Sequence, residues 1–243
     1  MIVKELLSAT STNTWLAENR QILTPPILVY ALAQTAGRGQ RGNSWESEPG
    51  KNLTASALLD PAGVLPRHQF FISEAVALAV VDLLVEADVN ARVKWPNDIY
   101  VADRKICGIL IEHAILPDSI MYSIAGIGVN INQTRFISDA PNPVSLAQIT
   151  GRSYDIPEMA ARLSRCIDRR MEMLHPSRRD GLHAEFMQTL WRADGALYPF
   201  FDRLASERID ARIEGVAPDG TLTLSLSDGS SRSYAFKEIE FLL

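Results

Sequence analysis

The chain has 243 residues, 47% of them hydrophobic and 22% charged, and its 24 Lys and Arg against 29 Asp and Glu give a formal net charge of −5. That length supports a sizeable core in one domain with an appendage or in two domains, and the acidic balance argues against a protein whose main task is to wrap a nucleic-acid backbone. Cys107 and Cys166 lie 59 residues apart in no ligand-like spacing, which excludes a disulfide scaffold and fits a reducing, cytosolic compartment.

The first residues lack the apolar core and small-residue cleavage site of a secretory signal. A helix is expected within 5–20, where Ser8-Ala9-Thr10-Ser11-Thr12-Asn13 offers several N-caps. Pro25-Pro26 breaks the chain, 27–33 reads as a buried strand, and a glycine-rich loop fills 35–51. A second strand at 52–59 ends at Asp60-Pro61, and a helix rich in Ala and Val follows over 69–87. The stretch 70–89 carries Glu74, Asp82, Glu86 and Asp88, too many acids for a membrane span of about 20 residues. Strand 91–95 is cut by Pro96, and 99–101 turns through Ala102-Asp103-Arg104-Lys105 into 106–113, a hairpin signal. Another strand is expected at 121–132 and helices at 157–174 and 178–192. From about 208 the pattern changes to short alternating strands at 209–213, 221–226 and 232–236, with Asp219-Gly220 and Asp228-Gly229 as turns. The pattern predicts an α+β body with a small terminal β-domain.

Four segments can carry chemistry. In Gly37-Arg38-Gly39-Gln40-Arg41-Gly42-Asn43-Ser44-Trp45, three glycines let backbone N–H groups approach a ligand and two arginines add fixed positive charge, which suits a phosphate or carboxylate. The loop matches neither the dinucleotide fingerprint nor the P-loop, and a solvated glycine turn is the competing reading. Lys94-Trp95-Pro96-Asn97-Asp98 sets a lysine among apolar strand residues, where an unpaired ammonium is costly. There the competing reading is a Lys94–Asp98 ion pair closing a strand. Arg104-Lys105-Ile106-Cys107-Gly108-Ile109-Leu110-Ile111-Glu112 places two cations at a turn and a glycine on a buried strand. In 126–132, Gly126 and Gly128 permit close approach and Asn130 offers a donor and an acceptor. The segment 92–105 has a net charge of +2 in a chain of −5, so a local cationic site is expected there and around 38–51. His68, His113, His175 and His183 show no metal-ligand spacing, no Gly-x-Ser-x-Gly elbow is present, and Cys107 reads as an inert buried thiol.

Taken in this order, Ser11-Thr12-Asn13, the stretch from Gln34-Thr35-Ala36 through the glycine loop to Trp45, Lys94-Trp95-Pro96-Asn97-Asp98, the Arg104 to Glu112 string and 126–130 resemble the biotin protein ligases. The resemblance spans about residues 8–132, and the β-rich tail suits the family. It implies a mixed β-sheet catalytic domain flanked by helices, of the class II aminoacyl-tRNA synthetase and biotin ligase type, over 1–190, with a small SH3-like β-barrel over 191–243. It implies activation of biotin by ATP to biotinyl-5′-AMP and transfer to a lysine. Because the first step joins two anions, the site must neutralise charge and align both groups. On this likeness Lys94 and Arg38 are catalytic, while Ser11, Thr12, Asn13, Gln34, Gly37, Gly39, Gln40 and Gly108 join them around biotin. Arg41, Trp45, Asn97, Lys105 and Asn130, with Arg38 and Lys94, would hold the nucleotide, Trp45 lying against adenine and Asn130 reading its edge. Mg2+ would accompany ATP on phosphates and water without a protein metal site. The implied acceptor is a biotin carboxyl carrier protein domain of a carboxylase, in the cytoplasm, with no nucleic-acid or membrane partner, and a sheet edge is available for a homodimer or for the acceptor.

Two departures from the family pattern matter. Gln40 stands where the family commonly has arginine, so either Arg41 compensates or the adenylate is held less firmly. The Ser-Thr-Asn segment begins at Ser11, which leaves no room for the N-terminal helix-turn-helix domain of some members, so a ligase alone is expected. The alternatives are a lipoate or octanoate ligase, a non-catalytic binder of biotin or nucleotide, and a nucleic-acid-binding regulator, the last disfavoured by charge.

Overall fold

The computed structural model describes residues 1–61, 63–137 and 142–242, apart from the side chain of Arg41. Seven strands, β1 (Ile2–Leu6), β2 (Ile27–Ala31), β3 (Leu53–Leu59), β4 (Arg92–Lys94), β5 (Asp98–Val101), β6 (Arg104–Leu116) and β7 (Ser119–Val129), form one sheet in the order β1-β2-β3-β7-β6-β5-β4. Only β1 and β2 run parallel, so the sheet is mixed as expected.

Side chains alternate across a strand, and here the two faces have different jobs. One face turns Leu28, Tyr30, Ala57, Leu59, Ala125 and Ile127 toward the main core, where helices α2 (Phe70–Val85), α4 (Ile156–Met171) and α5 (Arg179–Thr189) cover it. The other face packs Ile27, Val29, Leu58 and Ile124 against Leu16 of α1 (Thr12–Asn19), which covers only one end. The rest of that face carries Thr54, Ser56, Gly108, Gly126 and Gly128 and is left for a cavity.

Arg170 of α4 binds the helical layer together. It grips Asp82 of α2 at 2.6 and 2.7 Å and Glu185 of α5 at 2.5 and 2.6 Å. With its preceding turn, α2 makes a stretch, Pro66–Val85, that is long and apolar enough to cross a membrane by length and composition alone. The four-acid argument covers 70–89, but Glu86 and Asp88 fall beyond the helix, so composition excludes less than expected. In the fold this helix is mostly buried against the sheet and α4.

Strands β8 (Tyr198–Asp202), β9 (Glu207–Val216), β10 (Leu222–Leu226), β11 (Ser231–Tyr234) and β12 (Ile239–Phe241) form a second, antiparallel sheet ordered β11-β10-β9-β8-β12. Its apolar side continues the main core through stacked rings, Phe200 on Phe241 at 4.8 Å, Phe241 on Trp191 at 6.0 Å and Trp191 on Tyr100 at 5.2 Å. Buried Asp202 of β8 accepts hydrogen bonds from Tyr234 (2.7 Å) and Arg232 (3.0 Å) of β11 and ties these two strands together across the small sheet.

The elements depart from expectation at four places. The helix expected within 5–20 is confined to α1, and Ile2–Leu6 form an unexpected edge strand, since β1 pairs on one side only and tolerates exposed Lys4 and Glu5. Helix α5 stops at Thr189, because Trp191 N–H instead bonds the Val93 carbonyl at 2.8 Å. The short helix α3 (Leu146–Thr150) starts at a Ser145/Gln148 capping box that was legible but unread. Strands β8 and β12 complete the second sheet beyond the three expected.

Glu74 is fully buried on α2, with Oε1 2.8 Å from His183 Nδ1 and Oε2 without a partner. Burial pushes its carboxyl up to about 7, against the lowering effect of the histidine bond. A carboxyl whose native pKa lies above its unfolded value stabilises the fold at low pH and loses that contribution as pH rises through the native value. The thermal midpoint of the native protein, relative to Glu74→Gln, should therefore fall between roughly pH 5 and pH 7.5. A difference that stays flat across that window contradicts this account of Glu74.

Candidate functional site

Strand pairing aligns the sequence segments into one row across the sheet. Lys94 faces Asp98, Asp98 faces Gly108, Gly108 faces Gly128, and Gly128 faces Thr54. The next row is Leu110, Gly126 and Ser56. Above these rows lies a cavity of about 1330 Å³, walled by the loop 38–46, the start of α1, the 94–98 turn and the last strand.

The glycine loop folds back on itself. Gly39 N–H bonds the Asn43 carbonyl at 2.7 Å, and Trp45 N–H bonds Gly37 at 3.0 Å. This lays the Trp45 indole flat on the glycine row, where a Cβ at Gly128 would stand 2.4 Å from its Cε2 and one at Gly108 2.9 Å from its Cζ3. Gly37 lies behind the wall, where a Cβ would meet the Trp45 carbonyl at 2.7 Å. Two buried polar atoms of the loop, Gln40 Oε1 and Trp45 Nε1, have no hydrogen-bond partner. Such orphans are uncommon inside proteins, and both of these residues line the cavity. The Arg41 side chain lies outside the described residues.

A polar cluster closes one end. Gln34 Oε1 accepts from Thr12 N–H (2.8 Å) and Thr12 Oγ1 (3.2 Å), and Ser56 Oγ donates to Asn13 Oδ1 at 2.5 Å. Asn13 Nδ2 donates to Glu112 at 2.8 Å, and Arg38 reaches the same Glu112 oxygen at 2.9 Å. Ser11 caps α1 with extended backbone and no side-chain cap bond. Gly126 is required here, since a Cβ would fall 2.4 Å from Asn13 Oδ1.

The opposite end is cationic. Lys105 pairs with Asp98 at 2.7 Å and stands 5.9 Å from the Trp45 ring centre. The Lys94–Asp98 pair weighed from sequence is therefore not formed. Lys94 makes no ion pair among the described residues, and its Nζ sits 5.4 Å from the Tyr100 ring centre and 5.0 Å from that of Phe241. Burial lowers its pKa, the nearby Asp98 only partly opposing this. An ammonium in such surroundings is a standing attraction for an anion. Asn97 pins the turn, donating to the Ile109 carbonyl at 2.5 Å, while Asn130 donates to the Val144 carbonyl at 3.1 Å.

The fold thus gathers Ser11, Thr12, Asn13, Gln34, Arg38, Gly39, Gln40, Trp45, Lys94, Asn97, Lys105, Gly108 and Asn130 on one cavity. Sequence reasoning missed Ser56, whose signal is a hydroxyl inside an otherwise apolar strand, and Glu112. It also missed the C-terminal wall, where Arg203, Lys237, Glu240 and Phe241 reach the cavity. Trp95 anchors that wall by donating from Nε1 to the Gly220 carbonyl at 3.0 Å. Cys107 is buried with its thiol pKa raised by desolvation, in keeping with an inert role. His113 lies on β6 with Nδ1 2.8 Å from Ser123 Oγ. Among the described residues no three His, Cys, Asp or Glu cluster as a metal site.

Residues 3–132 match the family described as Biotin/lipoate A/B protein ligase family. The chain is 28% identical over 245 aligned residues to the bifunctional ligase/repressor BirA of Bacillus spizizenii, covering 97% of this chain and 72% of that protein. It is 29% identical to the biotin–[acetyl-CoA-carboxylase] ligase of Paracoccus denitrificans, over 90% of this chain and 92% of that one. In three dimensions it is similar to the biotin protein ligase of Aquifex aeolicus solved with biotin and ATP, with a TM-score of 0.81 at 23% identity, covering 99% of this chain and 98% of the other. That likeness shows the fold, a mixed sheet with flanking helices and a small C-terminal β-sheet.

Gly128→Ala should lift Trp45 from its seat at a cost of about 1–3 kcal/mol in overpacking. Iodide quenching of tryptophan emission should rise in Gly128→Ala, and the rise should vanish when Trp45→Phe is added. Unchanged quenching would contradict the indole-on-glycine arrangement.

Proposed function

Because the chain belongs to the biotin/lipoate A/B protein ligase family, we propose that it activates biotin with ATP to biotinyl-5′-adenylate and transfers the biotinyl group to a lysine of a biotin carboxyl carrier protein domain. A relative matched over 90% of the chain is named a biotin–[acetyl-CoA-carboxylase] ligase, which supports biotin as the acid. The observation that carries the reading is Lys94, a half-buried ammonium that makes no ion pair among the described residues, at the end of a glycine floor.

In the first step a carboxylate oxygen of biotin attacks the α-phosphorus, the bond to the bridging β-phosphate oxygen breaks, and pyrophosphate leaves with the electron pair. Lys94 offsets the repulsion between the two anions, and Arg38 with the loop N–H groups adds donors. Thr12, Asn13 and Gln34, held by each other and by Ser56, are set to bond the ureido group, with Ser11, Gly37, Gly39, Gln40 and Gly108 shaping that end. Trp45, Asn97, Lys105, Arg41 and Asn130 are assigned to the nucleotide. Mg2+, bound with ATP, would neutralise phosphate charge. Of the carboxylates lining the cavity, Asp98 and Glu240 are paired with cations and Glu46 accepts from Gln133 and the Ile137 N–H, so phosphates and water would hold it. In the second step the acceptor amine, as free base, attacks the acyl carbonyl, AMP leaves with the bonding pair, and the extra proton passes to solvent. Residues 1–190 form the catalytic part and 191–243 a small β-domain that closes the site over Lys94. A cytoplasmic location is in keeping with an ATP-dependent reaction.

Exchange of labelled pyrophosphate into ATP, with one acid present at a time, tests the reading. Exchange is expected with biotin and not with lipoate, and Lys94→Ala should lower it by about a thousandfold or more while the protein stays folded, with an unfolding midpoint no lower than that of the native chain. Exchange with lipoate alone would make the protein a lipoate ligase, and exchange with neither a binding protein.

A further inference from the structure

One buried amide lies outside the site residues yet ties two of the cavity's walls together. Gln133 is 1% exposed and uses its whole hydrogen-bonding capacity. Its Oε1 accepts from Asn52 Nδ2 at 2.6 Å and from Glu48 N–H at 2.9 Å, while its Nε2 donates to Glu46 Oε1 at 3.0 Å and to the Arg135 carbonyl at 2.9 Å. Glu46 in turn accepts the Ile137 N–H at 3.0 and 3.2 Å, and Asn52 Oδ1 accepts the Ile131 N–H at 3.0 Å. Trp45 directly precedes Glu46 and Phe136 directly precedes Ile137, and both rings line the cavity. Gln133 therefore stands at the centre of a three-side-chain network, with Glu46 and Asn52, that spans the end of the glycine loop and the segment after β7.

We propose that Gln133 is a positioning residue that holds Trp45 and Phe136 at the spacing needed to receive a flat aromatic base, and so tunes nucleotide affinity without touching the nucleotide. The inference rests on the reading that the nucleotide occupies the Trp45 end. The polar cluster of Thr12, Asn13 and Gln34 shares no hydrogen bond with the Gln133 network, so biotin affinity should be left alone. A fully satisfied buried amide is costly to break and specific in geometry, which suits it to fixing a spacing.

Gln133→Leu keeps the bulk and removes all four bonds. Its ATP KM in pyrophosphate exchange should rise about tenfold, while the Kd for biotin measured without ATP stays within about twofold. Gln133→Glu places like charge beside Glu46 and should raise the ATP KM at least as much. Adding Glu46→Gln restores a donor–acceptor pair and should recover most of that loss, a rescue that general destabilisation would not give. Equal changes in ATP KM and biotin Kd, no change in either, or loss of folding in both Gln133→Leu and the double variant would overturn the proposal. Trp45→Ala separates the two readings. An unchanged ATP KM in Trp45→Ala brings down the nucleotide placement itself, whereas a raised one beside an unaffected Gln133→Leu overturns only the role of Gln133.

Discussion

The arrangement turns on a charge left without a partner. Lys94 is carried into a half-closed cavity by β4, at the end of a row in which Asp98 is already taken by Lys105 and the next two positions are glycine. Moving an ammonium from water into such surroundings costs several kcal/mol unless an anion accompanies it. The fold bears this cost because the surrounding packing over-determines the position. Tyr100 and Phe241 flank the amine, Trp95 is tied to Gly220, and the ring stack from Tyr100 to Phe200 joins both sheets into one core. That cost is recovered when an anion sits beside Nζ, which is how a site for joining a carboxylate to a phosphate should be built.

The same logic explains why three other cations around the cavity are paired while Lys94, among the described residues, is not. Arg38 rests on Glu112, Lys105 on Asp98 and Arg203 on Glu240, all partly exposed pairs of modest strength that a ligand can exchange. The glycines supply the floor. Side chains at Gly108, Gly126 or Gly128 would occupy the space that Trp45 and Asn13 now fill. An acidic chain thereby keeps a cationic pocket inside an exterior of opposite sign.

Much of this was legible in the sequence where chemistry and spacing coincide. The glycine loop, the lysine before Trp-Pro and the two glycine-bearing strands announce close approach and charge, and all meet on one cavity. The row itself was not legible, since register between β4, β5, β6, β7 and β3 is decided by pairing across nearly eighty residues. The Lys94–Asp98 ion pair illustrates the gap. The two residues do face each other, but the Asp98 carboxylate goes to Lys105, a neighbour that only the following hairpin supplies. Phe241 and Glu240 carry no motif and enter the wall because the second sheet docks there. The edge strand β1 hid behind Lys4 and Glu5, residues suited to an edge but silent about which element bears them.

The unpaired lysine is also the point at which the account is most exposed to measurement. NMR titration of lysine side chains labelled at Cε, with Lys94→Arg assigning the resonance, reads the ammonium directly. In the free protein Lys94 should lose its proton well below the usual lysine value of about 10.4. With a non-hydrolysable biotinyl-adenylate analogue bound, the value should rise again as the anion takes its place beside Nζ. A Lys94 that titrates in the ordinary lysine range when free, and does not move when the analogue binds, would contradict the account.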